Sequence, residues 1–341
     1  MNTYTYSDVL IQPNYSTITS RSTVDLSVQI GQHTIKLPVI SSNMKNVTGP
    51  KMAAEVSRFG GLGLLHRFCT IEDNVSMYNE AISYLSANEP SNIGVSIGVK
   101  EEDKDRFEKL YLAGARIFCI DVAHGHHVLV KDMCKWINDS IFRWDRSGRS
   151  TITLIAGNIA TAEAYSDMIE WGADAVKVGI GPSPVCRTRF NTGVGVPQLY
   201  ALESIYKESY KHQFPISIIA DGGISHVGDI SKALKYSDAV MIGSMLAGTS
   251  ETPGQVFRSE DNEFYKVYGG SASGENKGEN RFVEGVIKTV KFRGKAKYIL
   301  REIEQGLQSA FSYTGASNHK EFQDKCEFVF LSPGSMKESK I

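Results

Sequence analysis

The stretch TLIAGNIATAEAYSDMIEWGADAVKVGIG (153–181) reads as strand, helix, strand. Its two ends, TLIAGNI (153–159) and AVKVGIG (175–181), are apolar without alternation, the pattern of strands buried on both faces in a parallel sheet covered by helices. Between them, TAEAYSDMIEWGA (161–173) repeats apolar residues at a spacing of three to four, as a helix with one buried face does.

The same unit recurs in both directions. PVISSNM (38–44), GLGLLHRF (61–68), IGVSIG (93–98) and IFCIDVAHG (117–125) precede it, and SIIADGG (217–223) and AVMIGSM (239–245) follow, giving eight apolar runs. EDKDRFEKLYLAGA (102–115) and HVGDISKALKYS (226–237) are helical intervals of the same kind. Eight alternations predict an α/β fold of the closed (β/α)8 TIM barrel type. A doubly wound open sheet is the rival, but it has more often about five or six strands and one early glycine-rich turn.

Residues 1–37 are expected to form an N-terminal arm with a short hairpin over one end of the barrel. Residues 251–292 are expected to form a polar active-site flap after the eighth strand. KAKYILREIEQGLQSAFSY (295–313) reads as a closing amphipathic helix, followed by a polar tail that frays. The whole of 1–341 reads as a single barrel domain.

Composition narrows the function classes. With 37 Lys+Arg against 38 Asp+Glu, the chain is neither disordered nor a general nucleic-acid binder, which would need a basic surplus. No run reaches the ~18 apolar residues of a membrane span, and MNTYTYSDVL lacks the features of a leader, so a soluble, cytoplasmic protein without membrane partners is expected. Cys69, Cys119, Cys134, Cys186 and Cys326 are widely spaced and form no CxxC, which suggests reduced thiols rather than disulfides or zinc.

In such a barrel the chemistry lies at the carboxyl ends of the strands. Those ends carry Asn43, His66 and Arg67, Gly98, Asp121, Asn158, Gly181, Asp221 to Gly223, and Gly243 with Ser244. ADGG (220–223) and IGSM (242–245) close strands seven and eight, where backbone N–H groups often bind phosphate; tight strand-to-helix turns alone would use the same glycines. The loop GIGPSPVCRTRFNTGVG (179–195) holds Cys186 beside Arg187 and Arg189, whose charges favour the nucleophilic thiolate. Cys69, Cys119 and Cys134 read as packing residues. HGHH (124–127) reads as a ligand-contacting turn or a helix start, because no carboxylate follows at metal-ligand spacing. KEEDKDRFEK (100–109) reads as a solvated helix face, and Glu284, taken alone, as a surface acid.

SDVLIQP, SRSTVDLS, LPVISSNM, LHRF, IDVAHGH, AGNIAT, KVGIGPSPVC, ADGGI, GSMLAG, VEG and LQSAFSYTGA, in that order, resemble the IMP dehydrogenase/GMP reductase family over essentially the whole chain. Dehydrogenases of that family usually insert a pair of CBS modules after the second strand. Here only about two dozen residues separate Phe68 from Ile93, enough for one helix. Dehydrogenases also hydrolyse their intermediate with an Arg-Tyr pair, where this chain has Arg281-Phe282. The resemblance therefore points to the reductase branch, with NAD-dependent oxidation of IMP to XMP as the alternative and a catalytically silent nucleotide-binding barrel as a third reading.

The resemblance implies NADPH-dependent reductive deamination of GMP to IMP and ammonia through a covalent thioimidate on Cys186, with Thr188 and Glu284 as a proton-relay pair, in purine nucleotide interconversion and salvage. It implies nucleotide contacts from Asp221, Gly222, Gly223, Gly243, Ser244, Gly270, Ser271, Ala272, Arg281, Phe282, Val283 and Gly285. NADPH would lie against Ser20, Arg21, Arg67, Asp121, Val122, Ala123, Ile180, Gly181, Asn280, Ser309, Ala310, Phe311 and Ser312, partly across a subunit boundary of a homotetramer. A monovalent cation, K+, would sit at Gly181, Ser183, Cys186 and Arg189. Two departures bear on this. The family's Gly-Pro-Gly-Ser before the cysteine is Gly181-Pro182-Ser183-Pro184 here, which replaces a cation-binding glycine carbonyl and removes a phosphate-binding serine.

Overall fold

The sequence unit at 153–181 folds as its pattern dictates. Thr161 accepts a hydrogen bond from the Ala164 N–H and starts the helix Ala162–Trp171, and Gly172, in the left-handed region at φ 86°, ends it. In the computed structural model, which describes residues 3–144, 152–183, 188–259, 262–269 and 287–338, eight such units close into a parallel barrel. The strands are β1 (Val39–Ser41), β2 (Leu62–Leu65), β3 (Ile93–Ile97), β4 (Ile117–Asp121), β5 (Thr153–Ile159), β6 (Ala175–Val178), β7 (Ser217–Asp221) and β8 (Ala239–Ile242). Each strand pairs with its sequence neighbour, and β8 pairs with β1 through Val240↔Val39 to close the ring. The covering helices are α1 (Pro50–Arg58), α2 (Ile71–Ser83), α3 (Glu101–Leu112), α4 (Val128–Trp144), α5 (Ala162–Trp171), α6 (Gln198–Ser209), α7 (Val227–Leu234) and α8 (Ala296–Thr314). Between β2 and β3, α2 is the one helix of the connection, as the short spacing predicts.

Two apolar layers follow from strand alternation. Outward-facing residues such as Val95, Phe118, Leu154 and Val176 meet the helices. Inward-facing Ile40, Leu62, Leu64, Ile117, Cys119, Ile155, Ala175, Ile219, Ala239 and Met241 fill the barrel. The N-terminal arm closes its lower end as expected: strands Val28–Ile30 and His33–Ile35 form a hairpin that adds Val28, Ile30 and Ile35 to the inner cluster. The Gln32 N–H donates to Thr153 Oγ1 at the base of β5.

A repeated clamp also secures the base. Asp174, before β6, donates its N–H to the Leu154 carbonyl and accepts the Leu154 N–H on its carboxylate. Asp238, before β8, does the same with Ile218. Each pair fixes the register of one strand against the next along the chain.

Three sequence expectations are corrected. The described part of the tail, residues 314–338, does not fray. His319–Lys325 is a helix, and Phe328–Phe330 pairs antiparallel with Val9–Ile11 of the arm. The described part of the flap is not a loop but a three-stranded antiparallel sheet of Phe257–Arg258, Phe264–Gly269 and Ile287–Lys291. Finally, the charged face at 100–109 is half buried. Asp103 and Arg106 lie inside, where Arg106 bridges to Asn74 Oδ1 and the Cys69 carbonyl. No helix among the described residues is long and apolar enough to cross a membrane.

Candidate active site at the carboxyl rim

Strand alternation carries the inner face upward into polar groups. Ile117, Cys119 and Asp121 share one face of β4; Ala175 and Lys177 share one face of β6; Ile219 and Asp221 share one face of β7. Lys177 is the only inward cation in this layer among the described residues, with a side chain 1% exposed. It reaches Asp121 Oδ1 at 2.5 Å and Asp221 Oδ2 at 3.5 Å. Gly157 makes the reach possible, since a β-carbon there would lie 2.6 Å from Lys177 Cβ.

The two carboxylates are held from other sides as well. Asn158 Nδ2 donates to Asp221 Oδ2 and to the Gly179 carbonyl, both at 2.8 Å. Arg67 donates through Nε and a terminal nitrogen to the Asp121 carbonyl at 3.3 and 3.2 Å. Burial alone would raise the pKa of Asp121, but the charges of Lys177 and Arg67 and a hydrogen bond from Asn43 override it and hold the carboxyl below its ordinary value. Burial likewise works to lower the pKa of Lys177, yet the charges around it, Asp121 first, leave it above its usual value. Both groups are therefore ionised at neutral pH. The Cys119 thiol beneath them is pushed up to about 12 by burial, which supports its reading as a packing residue.

The turn after β7 carries Gly222 and Gly223 at φ 104° and 78°, a conformation L-residues rarely adopt. Pro182 packs over this turn: a β-carbon on Gly222 would lie 2.8 Å from Pro182 Cγ. After β8, Gly243 lets the chain approach Tyr268, whose hydroxyl would stand 3.3 Å from a β-carbon there, and Ser244 Oγ donates to the Ile224 carbonyl at 3.3 Å. Tyr268 comes from the flap sheet. Burial first, then the Asp221 charge, pushes its hydroxyl up to about 12, and the Ser183 side chain hydrogen-bonds to it.

Several expected residues come together here. Asp121 and Arg67 are linked, half-buried Val122 and exposed Ala123 continue from Asp121, and Asp221 to Gly223 lie beside Pro182 and Ser183. Ile180 is half-buried in the same loop, and Gly181, at φ 82°, has the Arg189 side chain packed along it. Arg189 donates to the Val196 carbonyl at 2.5 Å. Thr188 begins the short helix Thr188–Thr192. A second group forms where the arm meets α8: Arg21 donates to Ser309 Oγ at 3.0 Å, and Ser20 hydrogen-bonds Ser22 at 2.8 Å. Ala310 and Ser312 are half-buried nearby on α8, and the Phe311 ring turns inward and stacks on Phe322 at 4.1 Å, in the core. Cys186, Gly270, Ser271, Ala272, Asn280, Arg281, Phe282, Val283, Glu284 and Gly285 lie outside the described residues.

Two residues that position the site escaped the sequence reading. Lys177 had a signal, because a lysine in a buried strand needs an anionic partner. Tyr268 had none before the flap was known to be a sheet. The HGHH turn does start α4, with His126 Nε2 hydrogen-bonded to Asp167 Oδ2 at 2.7 Å.

The fold and the charged groups at its carboxyl rim define a (β/α)8 barrel enzyme. The chain belongs to the IMP dehydrogenase/GMP reductase family, whose domain model matches residues 3–341, and is an oxidoreductase. It is 36% identical over 338 residues to the GMP reductase of Mesoplasma florum, covering 97% of this chain and 98% of that protein. To the GMP reductase of Lactobacillus acidophilus it is 38% identical over 322 residues, covering 92% and 91%. A cysteine-to-alanine variant of GMP reductase from Trypanosoma brucei, solved in complex with guanosine 5'-monophosphate, superposes with a TM-score of 0.89 at 26% identity, over 100% of this chain and 98% of that one.

Proposed function

We propose that the protein catalyses the NADPH-dependent reductive deamination of GMP to IMP and ammonia, in purine nucleotide interconversion and salvage. One observation carries this reading: two carboxylates, Asp121 and Asp221, stand on the same rim with a buried lysine between them, one on the expected dinucleotide side and one beside the glycine turn expected to take the nucleotide. The GMP reductases that the chain resembles over most of its length agree with it.

In this mechanism the GMP phosphate lies on the Gly222-Gly223 and Gly243-Ser244 turns. The Tyr268 hydroxyl, neutral at physiological pH, is a donor to the phosphate and takes the part left vacant by Pro184, which has no N–H. Asp221 accepts from the ribose hydroxyls. The Cys186 thiolate attacks C2 of the guanine ring, and the exocyclic amine leaves as ammonia once Thr188 and Glu284 have delivered a proton to it, giving a thioimidate on Cys186. NADPH, when bound, supplies the hydride that C2 accepts as the C–S bond breaks. The residues present suit the dinucleotide: Ala123 is exposed beside Asp121, and Gly98, without a β-carbon, leaves room for the Arg67 guanidinium. Arg67 and Asp121 orient the nicotinamide end. Arg189, packed along Gly181, already puts a positive charge beside the place implied for K+, and no step runs through a cation.

The test is to follow the near-ultraviolet absorbance of reduced nicotinamide with GMP plus NADPH and, separately, with IMP plus NAD. Loss in the first alone is expected. Gain in the second alone would make the protein a dehydrogenase, and no change in either would leave a binding protein.

A further inference from the structure

Lys177 is placed in a way that simple burial of a lysine does not require. Its inner-face position on β6 lies directly above the apolar cluster that fills the barrel, and a charge there is tolerated only with partners. Asp221, on the adjacent β7, would have served alone. Instead the side chain leans across β5, over the place that Gly157 leaves open, to Asp121 on β4, and keeps Asp221 on β7 within 3.5 Å. One ammonium thus serves two carboxylates on opposite sides of it. Both carboxylates keep some exposure at the rim, 15% and 20%. Each is also tied to a different ligand-facing loop: Asp121 leads into Val122 and Ala123 and carries Arg67, while Asp221 leads into the Gly222-Gly223 turn and carries Asn158.

One cation shared between two anions makes the two sites interdependent. A hydroxyl donated to Asp221 by a bound nucleotide relieves that carboxylate's demand on the ammonium, and the ammonium then binds Asp121 more strongly. The reverse holds for a ligand that donates to Asp121. We infer that Lys177 is a positioning residue that couples the nucleotide subsite at Asp221 to the dinucleotide subsite at Asp121, so that occupation of either alters affinity at the other. The inference rests on the functional reading above. Because such coupling is reciprocal, GMP must change the affinity for the dinucleotide by the same factor as the dinucleotide changes that for GMP.

The experiment uses the full chain and the unreactive pair GMP and NADP+, titrated by calorimetry, each alone and with the other saturating. In the wild type a coupling of about fivefold or more is expected, and in Lys177→Gln it should fall to about one. Asp221→Asn and Asp121→Asn, which leave the lysine one full partner, guard against loss of folding in the first variant. Asp221→Asn should shift the Kd for NADP+, and Asp121→Asn the Kd for GMP, each by about threefold or more, although neither substitution is on that ligand's side. Coupling unchanged in Lys177→Gln, or cross-effects absent from both aspartate variants, would overturn the role given to Lys177. A purely structural lysine would lower the melting temperature without moving the coupling factor. If the wild type binds neither ligand, the functional reading itself fails, and that is visible before any variant is made.

Discussion

His126 and Asp167 join the turn after β4 to helix α5 through one 2.7 Å hydrogen bond, with the imidazole stacked on Trp171 at 5.8 Å. Both side chains are partly exposed, so the contact adds little to global stability. Its effect is local, because the turn it anchors begins with Val122 and Ala123, on the expected dinucleotide side. Asp167→Asn should weaken NADPH binding about two- to fivefold while leaving the urea midpoint nearly unchanged. A fluorescence titration of NADPH would check this, and an unaltered Kd would mean that the turn holds its shape without the contact.

Glycines 222 and 228 make a matched pair. Gly222 lies at φ 104° with Pro182 Cγ 2.8 Å from the place of a β-carbon, whereas Gly228, in α7, has nothing within 4 Å of that place. Gly222→Ala should therefore be strained, destabilise by about 1–3 kcal/mol and raise the KM for GMP by displacing the Pro182 loop. Gly228→Ala should be neutral or stabilise by about 0.4–1 kcal/mol through the unfolded chain. Denaturation of the two variants side by side checks the pair. Equal effects would show that the turn adapts.

Lys266 anchors the flap. Its ammonium, on a side chain buried within the flap sheet, donates to the Thr249 and Thr252 carbonyls at 3.1 and 2.5 Å. Lys266→Met would remove the ammonium from both carbonyls, leaving Thr249 its bonds from Thr252 while the Thr252 carbonyl loses this donor, and should cost about 1–3 kcal/mol. Tyr268 lies two residues on along the same strand, so the KM for GMP should rise as well. A stability loss with an unchanged KM would separate the anchor from the site.

These residues also show where the sequence was readable. The barrel was legible because strands buried on both faces leave long apolar runs, and the clearest, 153–159, became β5 with the same bounds. The flap sheet was not, because FYKVYG (264–269) inverts the usual alternation: Lys266 points inward and Val267 outward, which hides the strand. The pairing of Val9–Ile11 with Phe328–Phe330 joins three-residue strands from opposite ends of the chain, and no local pattern encodes that. At the site, Asp121 and Asp221 were legible as polar ends of apolar strands. Lys177 inside AVKVGIG signals only the need for an anionic partner, because which carboxylates meet it depends on closure of the barrel. Phe311 shares its stretch of α8 with outward-facing neighbours while its own ring faces Phe322, a difference that helical spacing alone does not show.

His66 gives a prediction in pH. Burial, helped by the charges of Lys45 and Arg106, holds its pKa down to about 4, and its Nδ1 accepts the Phe68 N–H at 3.2 Å, a bond that needs the neutral ring. In the unfolded chain the same imidazole titrates near its ordinary value of about 6.5. Between those values the unfolded state takes up a proton that the folded state refuses, so stability falls as pH falls through that window and the loss levels off below about pH 4. The whole contribution is about 3 kcal/mol in order of magnitude. Other groups titrate in the same range, so the comparison must be with His66→Gln, which removes this group alone. At neutral pH the wild type should be the more stable of the two. By about pH 5 its lead should shrink by about 2 kcal/mol. Urea denaturation of both proteins at the two pH values measures the difference, and a gap that stays constant with pH would mean that His66 is protonated in the folded protein or relaxes to admit the proton.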